Sequence, residues 1–215
     1  YIGIQMYDPA TDNFTPLAKL EDTGETLEGN INSFIERKNG EIWVSGNVLC
    51  KLDIKDHLLT VRKVDIAVTS PGSLFEDKKQ NVWMAKGEEG VYQLTPDNQL
   101  TLHLSKDNGY VKSICEDQRG NIYVGSIRKG LFIYDKERKT FVPIDLKEKG
   151  ELPVCFLYSG IPNELYIGTD GKGVVIYNIR THEISEYKFD NNYFDSGNSK
   201  IHSILKDNSG NLWLA

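Results

Sequence analysis

The 215-residue chain has no apolar run near the length of a membrane span and no basic-then-apolar leader. No span and no secretory signal are therefore expected within these residues. The chain opens on Tyr1 rather than Met, which implies a natural start that lies upstream or has been removed. Basic clustering is lacking too. The 25 Lys and Arg are scattered among 31 Asp and Glu, for a formal net charge of −6. A nucleic-acid groove needs a basic footprint, so nucleic acid is excluded as a partner. Cysteine is scarce and odd in number: Cys50, Cys115 and Cys155 cannot all pair with one another. Each falls on a strand of a different repeat, where a free thiol behaves as a small buried hydrophobe. That is the expectation, with a disulfide or a reactive thiol as the alternative, and the compartment stays open.

Helical spacing of apolar residues never lasts more than two turns, and there is no linker or low-complexity tract. Catalytic constellations are missing as well. His57, His103, His182 and His202 lie in different repeats with no shared spacing. Nothing pairs them as metal ligands or sets one beside a nucleophile. The chain has no Gly-x-Ser-x-Gly elbow, no phosphate-cradling glycine loop and no His-Glu-x-x-His. Gly171-Lys-Gly173 resembles part of a phosphate loop, but it lies between two strands and reads as a hairpin turn. No catalytic residue, cofactor or metal site is expected.

What the chain does have is repetition. A turn followed by an aromatic strand occurs at Asn39-Gly-Glu-Ile-Trp43, Lys79-Gln-Asn-Val-Trp83, Arg119-Gly-Asn-Ile-Tyr123, Pro162-Asn-Glu-Leu-Tyr166 and Ser209-Gly-Asn-Leu-Trp213, at spacings of 40, 40, 43 and 47. A second element occurs at Gly3–Asp8, Val48–Asp53, Gly90–Thr95, Gly130–Asp135 and Gly173–Asn178, at spacings of 45, 42, 40 and 43. Two independent signals with one period, each period holding several short strands, mark propeller blades. The fold expected is all-β, a β-propeller of four-stranded antiparallel blades.

In chain order, a half-blade over 1–28 precedes blades at about 31–64, 72–104, 111–144 and 154–189, and a second half-blade covers 201–215. The two halves could complete one composite blade, closing a five-bladed ring. The last strand, however, stops before the glycine that follows its counterparts, as in Val124-Gly125 and Ile167-Gly168. An excerpt of a longer ring is therefore favoured.

The repeated aromatics Trp43, Trp83, Tyr123, Tyr166 and Trp213 should fill the wedges between blades. Asp77, Asp117 and Asp207, with Glu36 in the corresponding place in the first blade, should cap the hairpin turns. Glycine takes the left-handed position three residues later, with Gln80 and Asn163 as its substitutes. Recognition is left to connecting loops on one face, where all-β rings bind ligands. The loop candidates are Lys86, Tyr110, Arg128, Lys129, Asp170, Lys172 and Tyr193. Glu88, Glu89, Phe194 and the rest of the Asp190–Lys200 loop lie beside them. Their mixed charge and aromatics suit a polar ligand such as a sugar, and equally a solvated rim.

Written out, Ile114-x-Glu116-Asp117-x-x-Gly120-Asn121-Ile122-Tyr123-Val124-Gly125, followed by Gly130-Leu131-x-x-Tyr134-Asp135, resembles the two-component regulator propeller repeat. Ile204 to Leu214 and Gly173 to Asn178 echo it, while Val48, Gln80 and the stretch Cys155–Pro162 depart from it. The resemblance implies seven-bladed propellers forming the periplasmic sensor of a hybrid histidine kinase and response regulator held in the inner membrane. It also implies an oligosaccharide as ligand, a homodimer as the receptor, and kinase chemistry elsewhere on the chain. The alternatives are a propeller enzyme resembling the streptogramin-lyase and lactonase group, whose repeats also carry a Gly-Asn-x-Trp element, and a protein-interaction scaffold.

Overall fold

The computed structural model describes residues 5–16, 30–55, 58–104, 109–146, 152–188 and 200–215, and none of these is helical. Short apolar runs punctuated by turn residues become hairpins, and successive hairpins pair into meanders. The first is β1 (Gln5–Asp8) with β2 (Asn13–Pro16). Blade 1 comprises β3 (Ser33–Glu36), β4 (Ile42–Ser45), β5 (Leu49–Lys55) and β6 (Leu58–Lys63). Blade 2 comprises β7 (Ser73–Glu76), β8 (Val82–Lys86), β9 (Gly90–Leu94) and β10 (Leu100–Leu104). Blade 3 comprises β11 (Val111–Glu116), β12 (Ile122–Ser126), β13 (Gly130–Asp135) and β14 (Thr140–Pro143). Blade 4 comprises β15 (Val154–Ile161), β16 (Glu164–Thr169), β17 (Val174–Asn178) and β18 (Ile184–Glu186). A last hairpin joins β19 (Ile204–Lys206) to β20 (Leu212–Leu214). Every sheet is antiparallel with its strands in sequential order, and β1–β2 and β19–β20 are separate two-stranded sheets.

The first turn of each blade shows why the repeat has its residues. Gly40, Gln80, Gly120, Asn163 and Gly210 all take positive φ, at 82°, 66°, 78°, 60° and 90°. Gln80 and Asn163 thus stand in for glycine as expected. In blade 2, Asp77 Oδ1 accepts the backbone N–H groups of Lys79 and Asn81 at 2.8 and 2.9 Å. Its Oδ2 accepts Asn81 Nδ2 at 2.8 Å and Trp83 Nε1 at 2.9 Å. One carboxylate therefore closes the turn and also anchors the aromatic. Asp117 repeats the arrangement with Tyr123, and Asp207 with Trp213. Hydrogen bonds from Trp213 and then Asn211 hold the Asp207 carboxyl at about 2.

Asp77→Asn tests this cradle. In either orientation the amide NH2 faces a pair of donors, so one donor group must lose its acceptor. Unfolding free energy should fall by about 1–3 kcal/mol, read as an earlier denaturation midpoint. An unchanged midpoint would show that the carboxylate is dispensable.

Blade 1 corrects one expectation. Register places Glu36 level with Glu76 and Glu116, opposite Ile42, Val82 and Ile122. Arg37, not Glu36, therefore holds the position of Asp77. The charges are exchanged around it: Arg37 pairs with Glu76 at 2.9 Å and Glu41 at 3.2 Å, and it lies 4.5 Å over the Trp43 ring. Glu41 takes over the anchoring of Trp43 Nε1 at 3.1 Å. Burial alone would raise the Glu41 carboxyl, but hydrogen bonds from Lys51, Asn39 and Trp43 outweigh it and hold the group at about 2.

The wedges are filled as the repeat implies. Trp43 packs among Leu74, Val82, Met84 and Leu94 of blade 2. Trp83 packs among Ile114, Val124, Phe132 and Phe141 of blade 3, and Tyr123 among Leu157, Leu165, Ile167 and Val175 of blade 4. Tyr166 meets Ile201 and Ile204 of the last hairpin. Trp213 departs from the pattern, with 62% of its surface exposed, because no described blade follows it. Cys50, Cys115 and Cys155 are free and buried. Burial pushes the Cys115 thiol up to about 12, which keeps it protonated and inert.

Candidate functional site: an axial hollow

The first strands of successive blades lie against one another, β3 on β7, β7 on β11, β11 on β15 and β15 on β19, so they surround the axis. Repeated serines stitch this inner ring together. Ser33 Oγ accepts the Leu74 N–H at 3.2 Å, and Ser113 Oγ accepts the Leu157 N–H at 3.0 Å. Ser73 and Ser203 occupy the same step in their own blades, opposite Ala85 and close to Ala215.

The residue before each serine stands at the mouth of the ring: Asn32, Gly72, Lys112 and His202. Blade 4 differs. A register shift between Val154 and Phe156 places Phe156 opposite Gly168, the step that Ser113 takes opposite Gly125. An aromatic thereby replaces a hydroxyl at the axis. These residues, with Ser70 and Tyr110, line a hollow of about 440 Å³. Lys112 and His202 are exposed in it, and Phe156 is half-buried. Tyr110 lies over the backbone of Gly87, where a Cβ would come within 3.0 Å of its ring. No carboxylate lines the hollow among the described residues.

The loop candidates gather around this mouth, but ion pairs occupy several of them. Lys86 pairs with Glu89 at 2.8 Å and meets Thr69 Oγ1 at 3.1 Å. Arg128 reaches across to Glu88 of the preceding blade at 3.0 Å. Asp170 pairs with Lys200 at 3.0 Å, and a β-bridge joins the same two residues. Lys129 and Lys172 sit in tight turns, their backbone N–H groups donating to Ser126 Oγ and Thr169 Oγ1. Of the seven, Tyr110 alone among those described lines the hollow. Tyr193, like His57, lies outside the described residues.

Lys112, Phe156 and Asn32 were not singled out from sequence, and His202 was read there only as one of four histidines with no shared spacing. For Asn32, Lys112 and His202 the signal was present, one residue ahead of a serine that recurs at Ser33, Ser73, Ser113 and Ser203. Phe156 takes the place of the serine in blade 4 and has no such signal. Elsewhere, His103 sits between Gln93 and the Lys139 carbonyl, and His182 on the Tyr177 hydroxyl. Among the described residues, no group of three His, Cys, Asp or Glu could hold a metal ion.

Residues 105–128 match the family model described as two component regulator propeller. No curated protein matches the chain in sequence. Among solved structures the chain is similar to one described as the extracellular domain of a hybrid two component system from B. thetaiotaomicron. The two share 17% identity at a TM-score of 0.79, over 99% of this chain and 29% of that one. It is also similar to virginiamycin B lyase from Staphylococcus aureus with quinupristin, with 16% identity and a TM-score of 0.68, over 92% of this chain and 65% of that one. A third is PorZ, a surface component of the type-IX secretion system of Porphyromonas gingivalis. It has 14% identity and a TM-score of 0.67, over 99% of this chain and 37% of that one. At these identities the likeness establishes the fold, a β-propeller. The chain spans about three tenths of the length of the first of these structures.

Proposed function

We propose that this chain, whose third blade carries a two component regulator propeller repeat, is an extracytoplasmic ligand-sensing segment of a two component receptor. Its ligand is a small polar molecule, an oligosaccharide foremost, and the segment performs no chemistry of its own. Five successive inner strands converge on one hollow that offers aromatic surface beside polar side chains, and this carries the reading. Stacking on an aromatic face with hydrogen bonds around it is how a concave site holds a small polar ligand. The segment belongs to a longer, seven-bladed ring, and the receptor works as a homodimer anchored in the inner membrane, with its kinase on another part of the chain. No helix among the described residues is long and apolar enough to cross a membrane. Ligand shifts the receptor only through its difference in affinity for two arrangements.

The likeness to virginiamycin B lyase supports a second reading, a propeller enzyme using the imidazole of His202 at the same mouth. Thermal melting separates the two. An oligosaccharide at 100 times its Kd should stabilise the folded chain by about 2.7 kcal/mol, a rise in Tm of about 5–10 °C. Flat melts with every oligosaccharide would overturn sensing of sugars, and a rise with calcium or magnesium would turn the case toward the enzyme.

A further inference from the structure

The geometry assigns to the axial hollow a preference for an acidic sugar, a uronate or sulfated oligosaccharide, with Lys112 as the residue that selects the anionic group. This rests on the sensing reading above and narrows it to one chemical class.

The rim acids are already neutralised: Glu88 by Arg128, Glu89 by Lys86, and Asp170 by Lys200. Lys112 differs from those cations. It lines the hollow, it is exposed there, and no described carboxylate pairs with it. His202 lines the same hollow from the last hairpin and supplies two ring nitrogens. In a chain of net charge −6, a lysine that lines a concave site with no described carboxylate as partner is a local reversal of sign. Low-dielectric walls focus the field of such a group on whatever enters. A neutral sugar would leave that ammonium partly desolvated with no counter-charge, which is unfavourable. A carboxylate or sulfate meets it with a charge-assisted hydrogen bond. Phe156 and Tyr110 supply apolar surface for the sugar ring, so charge and stacking act on one ligand.

The test titrates the full chain with uronate and sulfated oligosaccharides and with their carboxyl-reduced and desulfated counterparts, by calorimetry at low and moderate salt. At least one acidic member should bind about 10- to 100-fold more tightly than its neutral counterpart, and the preference should shrink as salt rises. Lys112→Gln removes the charge and shortens the side chain by one atom at an exposed position, so Tm without ligand should not move. The acidic preference should disappear in that variant, while Arg128→Gln on the rim should keep it. Equal or tighter binding of the neutral counterparts would overturn the acidic-sugar inference and leave sensing intact. Full retention of the preference in Lys112→Gln would do the same. Binding of neither set would remove the sensing reading beneath it as well.

Discussion

Trp83→Ala is expected to lower the unfolding free energy of the 215-residue chain by about 3–5 kcal/mol. The same replacement at Trp213 should change it by no more than about 0.5 kcal/mol. Both tryptophans occupy one step of the repeat, and both donate their indole N–H to an aspartate, at 2.9 and 2.8 Å. What separates them is their neighbours. Trp83 is 1% exposed, with Tyr134 and Phe141 edge-on at centroid distances of 5.1 and 5.8 Å and His103 at 5.3 Å. Alanine there leaves a cavity lined from two blades, and it also strips Asp77 of one donor. Trp213 is 62% exposed, and alanine there exposes little that water does not already reach. Since a domain of this kind has only about 5–15 kcal/mol in total, the first variant should melt many degrees earlier and the second should not. Urea midpoints of the two variants decide it. Equal losses would mean that Trp213 is covered in solution, and that neighbouring aromatics do not set the cost at Trp83.

Gly90→Ala is the second large effect. Gly90 opens β9 with φ at 121°, and an added Cβ would overlap the carbonyl oxygen of Leu104 on β10. That neighbour is backbone and cannot rotate away. The left-handed strain of about 1–3 kcal/mol therefore adds to an overpacking cost of about 1–3 kcal/mol. The β9–β10 edge should open or the chain should fail to fold. Gly130 holds the same step in blade 3 with φ at 75°, but the atom nearest to an added Cβ is the Leu152 carbonyl oxygen at 3.8 Å. Gly130→Ala should cost only the backbone term, about 1–2 kcal/mol. Amide exchange at β10 gives an independent reading, with protection lost in Gly90→Ala and kept in Gly130→Ala. If the two variants melt together, the Leu104 contact does not exist in solution.

The loop candidates show how reading charges along a chain misleads. Arg128 and Lys86 look like free cations in sequence, yet each faces a glutamate at ion-pair distance. Glu88, Arg128's partner, lies on the preceding blade, so no local pattern announces the pair. Lys112 looks like an ordinary strand residue between Val111 and Ser113, and only the inner ring reveals that it faces the axis. Arg37 is a further case. From sequence, Glu36 was set in the place of Asp77, and strand pairing moved that position by one residue to Arg37.

The amino-acid sequence alone determined the blades. The apolar run Ile122-Tyr-Val-Gly125, the left-handed turn residues and the aspartates that close the turns at Asp77, Asp117 and Asp207 all act within about ten residues. Interactions of that range leave a mark wherever the unit recurs, and five recurrences made the mark legible. Tertiary structure alone decided where the hollow lies, which charges are taken up in pairs, and which tryptophan is buried. Those outcomes depend on residues about 40 positions apart meeting across a wedge or around the axis. The wedge aromatics and the serine bonds recur from blade to blade, but charge pairs such as Arg128 with Glu88 do not, because they depend on how one blade packs against the next and not on how any blade folds.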